Sequence, residues 1–261
     1  MTSGGYVRCA TVAALLMCAC VLLLDARGNA ELRDGGIVRG PADARQIALE
    51  FTGHEFAEGG AVILEELARH RARASFFLTG DFLRRPEFAA IVRRLVAGGH
   101  YLGAHSDKHL LYCAWESGKR TLVTREEFTH DLDDNLREIE KFGVRRADAQ
   151  YWVPAYEWYN REIAGWSAAM GLRLVNLTPG TRSNADYTGE AEPNFVASRT
   201  ILDSILSRER EDPRGLRGYL LLLHIGAGPG RADKMHARLG ELLGELSRRQ
   251  YRFVRVDELL R

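Results

Sequence analysis

Cysteine is scarce in this sequence, and neither sign of charge predominates. Three of the four cysteines, Cys9, Cys18 and Cys20, lie within the first twenty residues, and Cys113 is the fourth. If residues 1–30 are removed, as expected below, Cys113 alone remains, which excludes an internal disulfide. The formal net charge is only +1, and no basic region is long enough to attract a polyanion. We therefore expect no nucleic acid partner, and we predict no stable protein partner.

An apolar run occupies residues 10–24, with Arg8 before it and small residues at 28–30. This order is typical of an export signal, which we predict over residues 1–30 with cleavage after Ala30. The alternatives are a membrane anchor, for which the run is short, and a lipoprotein modified at Cys20. No repeat or long linker follows the run. We predict one domain over residues 31–261, exported to the periplasm or the cell surface.

Seven short apolar segments alternate with amphipathic helical patterns. Strands that are apolar throughout and alternate with helices indicate a parallel sheet covered by helices. Thr124 and Glu127 have the spacing of a capping box, which predicts a long helix that ends at Gly143. We predict an α/β fold, a distorted or incomplete (β/α) barrel of about seven strands. The predicted strands are 47–51, 74–79, 100–105, 149–156, 172–178, 218–226 and 251–256.

Polar clusters occur where the predicted strands end. In a barrel of parallel strands, the carboxyl ends of the strands meet at one rim, where functional residues gather. We therefore expect these clusters to converge. They are "TGHE" (52–55), the segment 105–109, "YEWYN" (156–160), "TPGTRSNADY" (178–187) and His224.

Three histidines in these clusters are candidates for chemistry. His105 and His109 stand four residues apart. If the chain turns helical after its strand, both imidazoles share a face, at a spacing that a zinc ion accepts. His224 follows four leucines and is either a buried structural residue or, beside a metal, a proton donor, because imidazole titrates near neutral pH.

The order of these elements resembles that of the polysaccharide deacetylases of the NodB-homology type, carbohydrate esterase family 4. Their motif H-[ST]-x-x-H is matched by His105, Ser106 and His109, and their last motif, L-x-H, by Leu222 and His224. The resemblance spans about residues 45–257. The stretches "FTGHE" and "TPGTRSNADYT" are further similar to a divergent subgroup of these proteins in Bacteroidetes-like bacteria.

Membership of this family implies a divalent metal, commonly zinc, in a distorted (β/α) barrel. The metal and a base activate a water molecule, which attacks an N-acetyl or O-acetyl carbonyl on an oligo- or polysaccharide. The resemblance assigns protonation of the leaving group to His224.

The first family motif, T-F-D-D, is altered in this sequence. Thr52 and Gly53 occupy the positions of its two aspartates, which serve as the base and as a metal ligand. Two histidines alone would leave a catalytic zinc short of the usual three protein ligands. His54 would complete a site of three histidines, with Glu55 as the candidate base. Asp107 is the alternative third ligand.

Candidate residues for sugar binding follow the fourth and fifth predicted strands. Pro154 and Tyr156 match the third family motif, in which Val153 replaces an arginine, and the resemblance implies that the backbone N–H of Tyr156 helps to bind the oxyanion. Aromatic faces stack on sugar rings and polar groups bind hydroxyls, so we predict substrate binding by Tyr156, Trp158, Arg182 and Asp186.

The predicted function is a metal-dependent hydrolase that removes acetyl groups from an acetylated carbohydrate. Because the aspartate pair is missing, the alternative is a catalytically inactive, carbohydrate-binding member of the same fold. A different metal-assisted hydrolysis on this scaffold is a third hypothesis, since a fold does not determine a function.

Overall fold

The structure is a computed structural model that describes the backbone of Leu23–Leu24 together with residues 30–116 and 118–261. Most of the predicted export signal, including Cys20, lies outside these residues, so the signal, its cleavage and the lipidation stay predictions. Within the described residues, no helix combines the length and the apolar character needed to cross a membrane.

Seven strands of the described chain correspond to the seven predicted ones. β4 is longer than predicted, and the other six are shorter. The strands are β1 Leu23–Leu24, β2 Glu31–Arg33, β3 Gly36–Arg39, β4 Gln46–Gly53, β5 Ser75–Leu78, β6 Tyr101–Ala104, β7 Tyr151–Trp152, β8 Arg173–Leu174, β9 Tyr219–His224 and β10 Arg252–Val254. The sequence prediction missed the antiparallel hairpin of β2 and β3, although Asp34 and Gly35 form the left-handed Asp-Gly turn that signals a hairpin.

β4 is the centre of a parallel sheet. It pairs with β9 along one edge and with β10 and then β5 along the other, and β5 pairs with β6. Beyond β6, the Val153 N–H donates to the Ala104 carbonyl, and β7 pairs with β8. The Thr178 N–H then donates to the Leu220 carbonyl of β9. The parallel strands therefore follow a ring in which two of the junctions are weak, which agrees with the predicted α/β fold.

Helices cover the outer surface of this ring. The predicted capping box is present at the start of α4, where the Glu127 N–H donates to the Thr124 hydroxyl and the Glu127 carboxylate accepts from the Thr124 N–H. The helix ends three residues earlier than predicted, at Glu140. The helices are α1 Gly60–Arg69, α2 Gly80–Arg84, α3 Ala89–Ala97, α4 Arg125–Glu140, α5 Arg161–Ala169, α6 Ser198–Glu211, α7 Leu239–Arg248 and α8 Val256–Leu259.

Side chains of β4 alternate between the helical layer and the interior of the ring, as the strand period of two requires. Ile47, Leu49 and Phe51 belong to the larger apolar core, which includes the helices, whereas Ala48 belongs to the smaller core inside the ring. Glu50 and Thr52 follow Ala48 on the inner face. Both are buried, and neither carboxylate oxygen of Glu50 has a hydrogen-bond partner among the described residues. Burial, reinforced by the negative charge of Glu157, raises the pKa of Glu50 to about 8.

Replacing Glu50 with glutamine is expected to flatten the dependence of stability on pH. A carboxyl group with a raised pKa binds its proton more tightly in the folded state. Its contribution to stability is therefore fully present below the ordinary pKa of 4.5 and is lost as the pH rises to about 8. Across this window the melting temperature of the wild type should fall several degrees more than that of Glu50→Gln.

The matched control for this measurement is Glu65→Gln, which removes an exposed carboxylate of α1. It should keep the pH dependence of the wild type. Equal dependence in all three proteins would show that Glu50 does not change its protonation on folding.

Candidate active site

A cavity of about 400 Å³ opens at the carboxyl ends of the parallel strands. This volume is ordinary for a small-molecule site. Each of the five polar clusters that were predicted to converge contributes to its lining. The contributing residues are Thr52, Gly53, His54 and Glu55 after β4, His105 and His109 after β6, Tyr156 and Glu157 after β7, Asn184 and Tyr187 after β8, and His224 at the end of β9.

His105 is held firmly at the end of β6. Its backbone N–H donates to the Asn135 side-chain oxygen at 2.7 Å, and its Nδ1 lies 2.9 Å from the Val153 carbonyl oxygen. A carbonyl can only accept, so Nδ1 carries the proton and Nε2 keeps its lone pair. A histidine that ligates a metal is commonly oriented by such a hydrogen bond from its other nitrogen.

The segment after His105 is a loop, so the condition under which His105 and His109 would share a helical face is not met. Ser106 and His109 both have left-handed backbones, with φ of 70° and 55°. The Ser106 hydroxyl accepts a hydrogen bond from the Leu110 N–H, which closes the loop. The loop still brings the rings of His105 and His109 together, with centroids 5.2 Å apart.

His54 lies against His109. The two rings are stacked with centroids 4.6 Å apart and planes 8° from parallel, and His54 Nδ1 lies 3.1 Å from the Thr79 hydroxyl. On its other side His109 contacts the Tyr156 ring, at 4.4 Å between centroids. His54, His105 and His109 thus form one cluster, which we call the imidazole cluster.

The imidazole cluster is electrically neutral. Burial lowers the pKa of all three rings, and for His109 burial together with His54 and His224 lowers the pKa to about 3. Neutral imidazole is the form that ligates metals, so the donor chemistry of the cluster fits a zinc-type ion. The stacked arrangement does not yet point the nitrogens at one position, and among the described residues no three His, Cys, Asp or Glu side chains are placed together as metal ligands.

Two other residues proposed for the metal and the base lie apart from this cluster. The Asp107 carboxylate accepts two hydrogen bonds from Arg84, at 2.7 and 2.9 Å, and does not line the cavity. Glu55 lines the cavity, but it is an exposed residue, and its carbonyl accepts from Arg85. The structure therefore favours His54 over Asp107 as the companion of His105 and His109.

His224 lines the same cavity and lies beside Asp186. One Asp186 oxygen accepts from the His224 backbone N–H at 2.9 Å, and the other lies 2.7 Å from His224 Nδ1. Burial opposes the charged form of His224, but the charge and hydrogen bond of Asp186, aided by the charge of Glu157, raise its pKa above the ordinary value. His224 is therefore the cavity histidine suited to carry a proton at neutral pH.

Aromatic side chains surround the mouth of the cavity. Phe56, Trp115, Tyr156 and Tyr187 are all among the exposed large apolar residues of the described chain, and Trp115 is 58% exposed. The Trp115 ring packs on Trp158, with centroids 5.5 Å apart. Exposed aromatic faces grouped at one opening are typical of a binding site and not of a core.

One of the four predicted substrate-binding residues lines the cavity, and the other three do not. Tyr156 lines the cavity. Trp158 lies behind Trp115 and donates from its indole nitrogen to the Ala114 carbonyl. Asp186 is buried under His224, and Arg182 is an exposed residue whose backbone N–H donates to Ser204. None of these last three lines the cavity.

Sequence analysis placed Glu157 and Tyr187 in clusters expected to converge without giving either a role of its own, and it missed Trp115 and Phe56 as residues of the cavity. Glu157 stands inside the "YEWYN" cluster and Tyr187 ends the "TPGTRSNADY" cluster, so their positions after strands were the available signal. Trp115 comes from a loop without a strand before it, and no pattern in the sequence places it here.

Comparisons with known proteins agree with this fold and assign the chain to a family. The family model described as polysaccharide deacetylase matches residues 40–175. A peptidoglycan-N-acetylglucosamine deacetylase of Bacillus cereus is 34% identical over 223 residues, which cover 84% of this chain and 70% of that protein.

Two solved structures share the fold. The Bc1960 peptidoglycan N-acetylglucosamine deacetylase has a TM-score of 0.68 at 21% identity, over 85% of this chain and 91% of its own. BA3943, a CE4 family pseudoenzyme from Bacillus anthracis, has a TM-score of 0.67 at 17% identity, over 88% of this chain and 70% of its own.

Asp186→Asn is expected to lower the pKa of His224, because it removes the negative charge that stabilises the imidazolium. The change can be followed by NMR titration of the histidine ring protons, with the His224 signal identified by its absence in His224→Gln. Asp203→Asn, on α6 and outside the cavity, should leave the titration as in the wild type. An unchanged His224 titration in Asp186→Asn would contradict the coupling of the two residues.

Proposed function

Because this chain belongs to the polysaccharide deacetylase family, we propose that it is a metal-dependent hydrolase that removes acetyl groups from an N- or O-acetylated carbohydrate. The observation that carries the proposal is the composition of one cavity. A neutral imidazole cluster faces a histidine held by a carboxylate, beneath a mouth lined with exposed aromatic rings.

The proposed metal ligands are His54, His105 and His109, with zinc as the expected ion. Support comes from their neutral state and from the hydrogen bond that leaves Nε2 of His105 unprotonated. Binding would require the His54 and His109 rings to leave their stacked arrangement. A bound zinc would polarise the acetyl carbonyl and lower the pKa of water in an otherwise apolar pocket.

The proposed acid is His224, which would donate its proton to the leaving nitrogen or oxygen of the sugar. The charge of Asp186 stabilises the protonated His224 ring, and its contact with Nδ1 fixes the orientation of that ring. Nε2 is therefore the nitrogen directed at the substrate. Asp186 therefore supports the acid, and its predicted contact with sugar is not part of this proposal. The base would be a carboxylate of the same cavity, either Glu55 or Glu157.

The proposed substrate is an acetylated oligo- or polysaccharide. Trp115, Tyr156 and Tyr187 offer aromatic faces on which sugar rings can stack. The relative from Bacillus cereus is described as acting on peptidoglycan N-acetylglucosamine. We further propose that the protein acts at the cell surface or in the periplasm, on the support of the N-terminal sequence alone.

A non-catalytic role in carbohydrate binding is the second candidate, and a specific observation favours it. Thr52 and Gly53 line the cavity where the family motif has two aspartates, and BA3943, a neighbour in fold, is itself a pseudoenzyme. Such a protein would bind glycans through the aromatic mouth without needing a metal. The measurements below separate the two candidates.

Metal content tests the first candidate. The full chain loaded with zinc should hold about one ion per molecule, and His105→Ala and His109→Ala should each lose most of it, because a catalytic zinc needs three protein ligands. His130→Ala removes an exposed histidine of α4 and is the matched control. Acetate release from acetylated oligosaccharides should stop with a chelator and return with zinc.

A folded protein that takes up no zinc and releases no acetate would contradict the hydrolase. If such a protein still bound oligosaccharides in the presence of a chelator and in the His105→Ala variant, the non-catalytic role would stand instead.

Trp115→Ala is expected to weaken oligosaccharide binding by about tenfold, close to 1.4 kcal/mol, because it removes an exposed stacking face. In the hydrolase this appears as a higher KM with little change in kcat, and calorimetry should give the same loss of affinity. Val62→Ala, which shortens an exposed apolar residue of α1, should bind as the wild type does. Unchanged affinity in Trp115→Ala would remove Trp115 from the sugar site.

A further inference from the structure

Two glutamates of the inner face and the cavity, Glu50 and Glu157, are not accounted for by the residues discussed above. Glu50 points into the ring from β4, and its carboxylate has no hydrogen-bond partner among the described residues. The hydroxyl of Thr52, which is two residues further along the same face, is also buried without a partner. A buried polar group without a partner is costly, so this position calls for an explanation other than packing.

Glu157 is turned into the cavity by an unusual backbone. Tyr156 and Glu157 are consecutive non-glycine residues with left-handed φ angles of 61° and 52°. Such conformations are disfavoured and persist only where surrounding contacts hold them. Here the Asn176 side-chain N–H donates to the Glu157 carbonyl at 2.7 Å. The result is a half-buried glutamate that lines the cavity together with Thr52, Gly53 and His224.

The charge of Glu157 reaches both His224 and Glu50. Burial and the charge of Asp186 raise the pKa of Glu157, while His224 opposes this shift. The charge of Glu157 in turn adds to the raised pKa values of His224 and Glu50. Burial therefore raises the pKa of both carboxyl groups, and each negative charge makes ionisation of the other less favourable.

We propose that Glu157 is the catalytic base of the hydrolysis, and that Glu50, which lies two residues from the cavity-lining Thr52 on the same face of β4, is a positioning residue for it. This inference rests on the proposed function. Thr52 and Gly53 provide no carboxylate at the end of β4. Glu157 would provide one from a different strand end, since it follows β7 and lines the same cavity.

The other carboxylates near the cavity are less suitable. Asp186 is hydrogen-bonded to His224, and Asp107 is hydrogen-bonded to Arg84. Glu55 is an exposed residue, so bulk solvent competes with a substrate water for its carboxylate. Glu157 is half-buried and lies close enough to His224 to interact with it, as a base paired with an acid must.

The proton balance of the reaction is complete with these two residues. Glu157 takes a proton from water as the oxygen attacks the acetyl carbon. The carbon–nitrogen or carbon–oxygen bond then breaks, and His224 gives its proton to the departing nitrogen or oxygen. Acetic acid and the free amine or alcohol are formed, and the proton on Glu157 returns to His224 directly or through water.

Substitutions in the full, zinc-loaded chain test the base. With the N-acetylglucosamine tetramer and acetylated xylan as probes, Glu157→Gln should lower kcat by about a hundredfold to ten-thousandfold with KM nearly unchanged. Glu157→Asp, which keeps a carboxylate, should recover part of the rate. Glu65→Gln is the matched control and should behave as the wild type.

A second readout does not depend on turnover. Infrared titration should show a buried protonated carboxyl group that is absent in Glu50→Gln. In Glu157→Gln its midpoint should move to lower pH, because the neighbouring negative charge is gone. An unshifted midpoint would show that no charge of Glu157 acts on Glu50.

Three outcomes would overturn the inference. These are full kcat in Glu157→Gln, loss of kcat in Glu55→Gln instead, or an unshifted carboxyl titration in Glu157→Gln. If the wild type itself releases no acetate from either probe, the proposed function is wrong, and so is the assignment of Glu157 as its base. That result differs plainly from an active wild type whose Glu157→Gln variant stays active.

Discussion

The parallel pairing of β4 with β9 is the constraint on which the rest of the site depends. In its register Glu50 lies opposite Leu222, and Thr52 lies opposite His224. Along its other edge β4 pairs with β5, which pairs with β6, so the loop that starts at His105 opens onto the same rim as His54. A shift of one residue would turn His224 to the other face of β9, because side chains alternate along a strand.

Neighbouring charges differ among the histidines of this cavity, so the histidines favour different charge states. His54, His105 and His109 lie next to one another in a buried environment, which disfavours a proton on any of them. His224 is buried as well, but Asp186 is in direct hydrogen-bond contact with it and favours its charged form. The neutral form of the imidazole is therefore favoured at three positions of the cavity and the charged form at the fourth.

Much of the architecture could be predicted from local patterns, because strand and helix formation follow periodicity and capping. The seven apolar segments became β4 to β10, and Thr124 with Glu127 starts α4. The failures arose where backbone conformation was decided by distant contacts. The segment after β6 is a loop with left-handed residues at Ser106 and His109, and no local pattern indicates that conformation. Asp186 lies under His224 because of where its loop crosses β9, which residue spacing cannot reveal.

The sequence by itself determined the fold class, the rim on which the polar clusters meet, and the histidines that line it, since each follows from strand ends in a parallel sheet. Only the tertiary structure decided how those residues are paired. It placed Asp107 on Arg84, Asp186 on His224, and Glu157 within range of a buried Glu50. The reason is physical, because the charge state of a carboxylate or imidazole depends on burial and on neighbours that are distant in the chain.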